Sequence, residues 1–153
     1  MPRKLTLLLG ALGLITTLTP IYAACTVTMP SLSFGLYDAL SAAPVTTSGN
    51  AVINCNDNPP PLVTVQLGPS TVSGGFFPRR MRAATGGDRL DYNFYADPSG
   101  ASVFGDGTGG TVTRSSKVNR NVPWSVTFYG RIAPSQDVAP GIYSDTLTIT
   151  INF

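Results

Sequence analysis

The chain has no histidine, and all of its acidic residues are aspartate, since glutamate does not occur in it. Without histidine, Ser-His-Asp and Cys-His activation of a nucleophile are excluded, and the commonest metal ligand is missing. Without glutamate, and with 16 Gly and 13 Pro in 153 residues, long surface helices have little to build on. There are only two cysteines and one tryptophan. Length and composition therefore point to one all-β domain without catalytic machinery, and neither an enzyme activity nor a cofactor is expected.

What is present begins with an export leader. Residues 1–23 read as a signal peptide: Arg3 and Lys4 are followed by an apolar run from Leu5 to Leu18, then Pro20 and a small-residue site ending Tyr22-Ala23-Ala24. The run is short for a membrane span and has signal-type flanks, so no span is expected once it is removed. Cleavage after Ala23 is preferred to cleavage after Ala24. A lipoprotein reading on Cys25 is the weaker option, because Tyr22 stands where such sites prefer Leu. The domain is then 24–153. Two of the ten basic residues leave with the leader, so eight Lys and Arg face eight Asp. A near-neutral chain has no electrostatic motive for nucleic acid. In an exported chain Cys25 and Cys55 should pair, closing a loop of about 30 residues, for which chain entropy gives roughly 3.5 kcal/mol.

Period-two alternation predicts short strands at Thr26–Met29, Leu32–Tyr37, Val45–Cys55, Leu62–Leu67, Arg80–Arg82, Leu90–Phe94 and Trp124–Phe128. Gly49-Asn50 suggests a bulge or turn within the third of these. Asn56 to Pro61 is a turn cluster, and Asp97-Pro98-Ser99-Gly100 turns a hairpin into Ser102–Phe104. Gly68 to Gly87, apart from Arg80–Arg82, and Ala133 to Gly141 read as loops. The last stretch alternates most cleanly. Leu147, Ile149, Ile151 and Phe153 point one way, with Thr146, Thr148, Thr150 and Asn152 the other. An apolar strand that no later strand covers is an aggregation hazard unless its edge is paired. Seven or so such strands suggest a β-sandwich.

Few residues invite a chemical reading. Asp88 with Asp91 is the nearest carboxylate pair, but solvated turn carboxylates are the plainer account. Gly105 to Gly110 lacks the Lys-Ser/Thr ending of a phosphate loop and reads as a turn. Asp97 and Asp106 match no calcium-loop spacing. Arg79, Arg80 and Arg82 are read first as a solvated loop or as partners of nearby aspartates, and second as a surface for an anionic sugar or phosphate. Trp124 and Tyr92 lie on the apolar faces of their strands, whereas Tyr95 lies on the other face and is the better candidate for stacking on a sugar.

Several blocks then occur in a fixed order: Phe34-Gly35-Leu36-Tyr37, Ala51-Val52-Ile53-Asn54-Cys55, Arg80-Met81, Leu90 to Tyr95, Phe104-Gly105-Asp106-Gly107, Phe128 to Ile132, and Gly141 to Thr146. As an ordered set they resemble the spore coat protein U domain family, which includes subunits of archaic chaperone–usher pili. The resemblance implies an incomplete immunoglobulin-like sandwich of six to seven strands, lacking its final strand. It further implies a subunit secreted through the periplasm of a Gram-negative bacterium to a pilus or surface coat. Its partners would be a periplasmic chaperone, an outer-membrane usher and neighbouring subunits. Strand addition would supply the missing strand along Leu147, Ile149, Ile151 and Phe153, with the Phe153 carboxylate as a chaperone anchor. Cleavage after Ala23 leaves only Ala24 before Cys25, too little for a donor strand, so a terminal or minor subunit is expected. Cleavage near Ala11 or Gly13 would instead leave Leu14 to Ala24 as a donor. The competing expectation is a free-standing carbohydrate-binding module using Tyr95 and the Arg79–Arg82 loop.

Overall fold

The structure, a computed structural model, describes residues 25–29 and 31–153, so the expected leader lies outside the described residues. Among those residues there is no helix, and nine strands form two antiparallel sheets. In chain order they are β1 (Cys25–Thr28), β2 (Val45–Cys55), β3 (Leu62–Leu67), β4 (Arg79–Ala83), β5 (Arg89–Tyr95), β6 (Arg114–Lys117), β7 (Trp124–Ile132), β8 (Tyr143–Ser144) and β9 (Ile149–Asn152). The larger sheet runs β1-β2-β7-β5-β4-β8 and the smaller β6-β3-β9.

The core lies where the alternation put it. Ala51 and Ile53 of β2, Val63, Val65 and Leu67 of β3, Leu90, Tyr92 and Phe94 of β5, and Val126, Phe128 and Ile132 of β7 are all buried between the sheets. Phe104 stacks on Phe128 with ring centroids 5.0 Å apart. Cys25 and Cys55 are direct partners in the β1–β2 register and form the expected disulfide.

The differences from the sequence reading have local causes. Leu32–Tyr37 is not a strand. Leu32 and Phe34 turn inward as expected, but Gly35 takes a φ of 75°, which shifts the phase so that Tyr37 packs and Leu36 is left 93% exposed. Gly49 makes no bulge, because β2 runs through it in register with Phe128. Its role is clearance: a Cβ there would lie 2.1 Å from Leu32 Cδ2.

The terminal stretch is not one strand either. β8 pairs with β4 in the large sheet and β9 with β3 in the small one, so the chain crosses between sheets over residues 145–148. Side-chain alternation survives the crossing, which is why sequence alone could not reveal it. Tyr143, Asp145, Leu147, Ile149 and Ile151 are half-buried and their neighbours exposed, whereas Phe153, expected inside, is 53% exposed. β6, an Arg-Ser-Ser-Lys segment with no apolar period, had no sequence signature and is an edge strand of the small sheet.

Candidate functional site: an apolar groove beside the last strand

Among the described residues β9 is an edge strand, paired with β3 on one side only. Its register sets Leu67 opposite Ile149 and Val65 opposite Ile151. The Gly68 N–H donates to the Thr148 carbonyl at 2.8 Å, while the Leu67 N–H turns the other way, to Gly105 O. Because antiparallel pairing alternates, the peptide groups of Thr148, Thr150 and Asn152 face β3, and those of Ile149 and Ile151 face the open edge. No residue after Asp145 is charged. The opposite edge of that sheet, β6, carries Arg114 and Lys117, the usual protection against unwanted pairing. The edge of β9 has none.

Across from that edge lie residues 31–37, which join no ladder. They are held by side chains. Leu32 fits over Gly49, Phe34 packs against Tyr92 and Phe94 with ring centroids 5.8 and 5.9 Å away, and the Thr47 hydroxyl donates to Ser33 O at 2.8 Å. Between this segment and residues 141–149 runs a groove of about 670 Å³. Its floor is the core itself: Leu67, Met81, Leu90, Phe94, Phe128 and Ile132. A groove floored by core side chains, between a segment in no ladder and the free edge of β9, has the form of a site for an added extended chain, which would pair with that edge and lay alternate side chains on the floor.

Asp145 fixes the groove's rim. Its Oδ1 accepts from the Thr71 hydroxyl at 2.7 Å and Thr71 N–H at 3.2 Å, and its Oδ2 accepts from the Tyr92 hydroxyl at 2.8 Å. Burial, and then the bond to Asp145, push the Tyr92 phenol well above its ordinary range. Sequence reading gave Asp145 no role, since a lone Asp before a strand carries no signature.

Of the residues expected at the groove, Leu147 and Ile149 line it, Ile151 packs half-buried on the core, and Phe153 projects outward beyond β9. The arginine cluster is not one surface. Arg79 is fully buried. It donates to the carbonyls of Leu67, Gly68 and Phe104 and, at 2.7 Å, to Asn93 Oδ1, and its guanidinium lies 5.0 Å from the Phe76 ring centroid. Arg80 pairs with Asp91 at 2.8 Å, and Arg82 is exposed. A ligand surface built on Arg79 is thereby ruled out, because every direction from its guanidinium is occupied by protein. Tyr95 does not join the cluster, since it lies four residues along β5 from Asp91, roughly 13 Å away.

The aspartates weighed for chemistry are engaged singly. Asp88 accepts from Ala139 N–H at 2.8 Å, Asp97 from the amides of Ala101 and Ser102, and Asp106 from Thr108. Trp124 packs half-buried against the core, as the alternation implied.

Comparison with known proteins agrees with this architecture. A chain of the CsuC–CsuE chaperone–tip adhesion subunit pre-assembly complex, from the archaic chaperone–usher Csu pili of Acinetobacter baumannii, superposes with a TM-score of 0.58 at 21% identity. The match covers 86% of the present chain and 40% of that one, and it supports the all-β immunoglobulin-like fold. Protein U of Myxococcus xanthus is 31% identical over 131 residues, 80% of this chain and 72% of that protein. The family model for the Spore Coat Protein U domain matches residues 11–150. The ordered blocks, the two-sheet fold and these matches agree: the chain belongs to the Spore Coat Protein U domain family.

Proposed function

We propose that this protein is a secreted structural or adhesive subunit of an archaic chaperone–usher pilus or related surface coat, completed by a strand from another polypeptide. The observation that carries this reading is the groove of about 670 Å³ between residues 31–37 and the uncharged open edge of β9. An inserted strand would hydrogen-bond to the outward peptide groups of Ile149 and Ile151 and place alternate apolar side chains against Leu67, Phe128 and Ile132. A periplasmic chaperone would fill the groove first, with an usher and a neighbouring subunit following. Phe153, exposed beyond β9, would be open to contact by the chaperone.

Processing after Ala23 would leave one residue before Cys25, which gives a subunit that accepts a strand and does not donate one. Mass analysis of the mature N-terminus tests that assignment. A start at residue 24 supports a terminal or minor subunit, and a start near residue 12 or 14 contradicts it. The subunit reading itself is tested by periplasmic expression with and without a cognate chaperone. The lone chain should aggregate or be degraded, and the chaperone should rescue it as a one-to-one complex. A lone chain of equal yield that ignores the chaperone would contradict the proposal.

A further inference from the structure

On the opposite face of the large sheet from the groove lies a shallow hollow of about 550 Å³. Strand alternation builds it. With Phe128, Gly130 and Ile132 buried, Tyr129 and Arg131 must project outward from β7. Tyr95 stands directly beside Tyr129 in the β5–β7 register, and Ser48 and Thr46 of β2 stand beside Tyr129 and Arg131 on the other side. Two tyrosines, two hydroxyl side chains and one guanidinium therefore share a patch two residues long and three strands wide. Gly100, at a φ of 77°, closes its rim; a Cβ there would lie 3.8 Å from the Tyr95 ring and 3.7 Å from Arg131 Nη1.

The hollow is lined by one charge of each sign, Arg131 and Asp97, and only the cation is free of partners. Among the described residues Arg131 makes no ion pair and no side-chain hydrogen bond. Asp97, the carboxylate that also lines the hollow, is consumed by its own turn: Oδ1 accepts from Ala101 N–H and the Ser99 hydroxyl, and Oδ2 accepts from Ser102 N–H at 2.9 Å. The guanidinium fork is left to a carboxylate from outside.

We propose that this hollow binds an acidic sugar ring of the hexuronate type. The apolar C–H face of the pyranose would lie on Tyr95 and Tyr129, its hydroxyls would meet Thr46 and Ser48, and its carboxylate would pair with Arg131. A neutral sugar lacks the charge, and a bare carboxylate lacks the ring. One ring on an open hollow binds weakly, with Kd on the order of a millimolar, and repeated display along a fibre or coat would multiply it. The hollow uses residues that point away from the core, so it stays open whether or not the groove is filled.

The test is a residue-resolved NMR titration of the exported full chain, with its groove partner bound if one co-purifies. Galacturonate is the probe, with galactose and acetate as the other arms. Galacturonate should shift the resonances of Tyr95, Tyr129 and Arg131 and bind about tenfold more tightly than galactose, as one charge-assisted pair implies. Acetate should leave the tyrosine rings unmoved. Arg131→Gln should erase the preference for galacturonate, and Tyr95→Ala should abolish binding of both sugars while core resonances stay in place. Unmoved tyrosines under galacturonate, equal binding of galactose, acetate matching galacturonate, or an unaltered preference in Arg131→Gln would each overturn the proposal. A chain that binds galacturonate yet ignores every chaperone and donor strand would overturn the subunit reading and leave this one standing.

Discussion

Arg79 is the side chain that ties the two sheets together. It leaves β4 of the large sheet, and its guanidinium donates to Leu67 and Gly68 at the end of β3 in the small one. No carboxylate touches it. Burial accordingly pulls its pKa from the ordinary 12.5 down to about 10, against the weaker raising fields of Tyr92 and Asp145. Arg79→Ala would take the guanidinium from three carbonyls, and at about 1–3 kcal/mol per orphaned buried group the loss should exceed about 3 kcal/mol. Arg79→Lys should recover little, since a single ammonium cannot span those acceptors. Urea denaturation of both variants measures this. Asp97 supplies a pH-dependent contrast at the surface. The Ser99 hydroxyl, then the Ala101 and Ser102 amides, hold its carboxyl at about 2 instead of 3.8. Its folded pKa is depressed, so its contribution is present above pH about 4 and is lost as pH falls toward 2. Thermal melts across that window should show the wild type losing its advantage over Asp97→Asn, whereas a gap independent of pH would contradict the turn's dependence on charge.

Among the elements, β9 carries the functional argument, and its two faces of backbone can be probed separately. Proline at 151 removes an N–H that faces the open edge, and edge strands tolerate such a loss. Proline at 150 removes one bonded to β3. Ile151→Pro should therefore fold with a loss of about 1–2 kcal/mol and take up a donor strand at least tenfold more weakly, whereas Thr150→Pro should lose about 3 kcal/mol. Calorimetry together with a donor-peptide titration distinguishes them, and equal effects on strand uptake would contradict the assigned edge. Strands such as β2, β3, β5 and β7 were legible in the sequence because each buries one face, which writes a period of two into the residues. β6 was not, because a polar edge strand buries neither face. The stretch from Leu32 to Tyr37 shows the converse. Its alternation is real as far as Phe34, but one positive φ at Gly35 reverses the phase, and nothing in the pattern encodes a dihedral angle.

At the scale of the molecule, the sequence located the apolar end of the chain but not the groove, because a groove is a relation between residues more than a hundred positions apart. Phe34, Leu67, Phe128 and Ile149 become neighbours only after the sheets close. The same distance effect hid the separate fates of the arginines: Arg80 pairs with Asp91 and Arg82 is exposed, as a solvated loop with aspartate partners would have it, but Arg79 is buried. Tyr95 stands beside Tyr129 in the β5–β7 register and lines one hollow with Arg131, neighbours that sequence distance concealed. The central claim concerns the open edge of β9, and residue-resolved hydrogen exchange on the uncomplexed chain tests it most directly. The account predicts slow exchange at the Thr150 and Asn152 amides, fast exchange at Ile149 and Ile151, and protection of the latter pair once a chaperone or donor strand is added. Ile149 and Ile151 amides already protected in the monomer, or unchanged by any added strand, would contradict it.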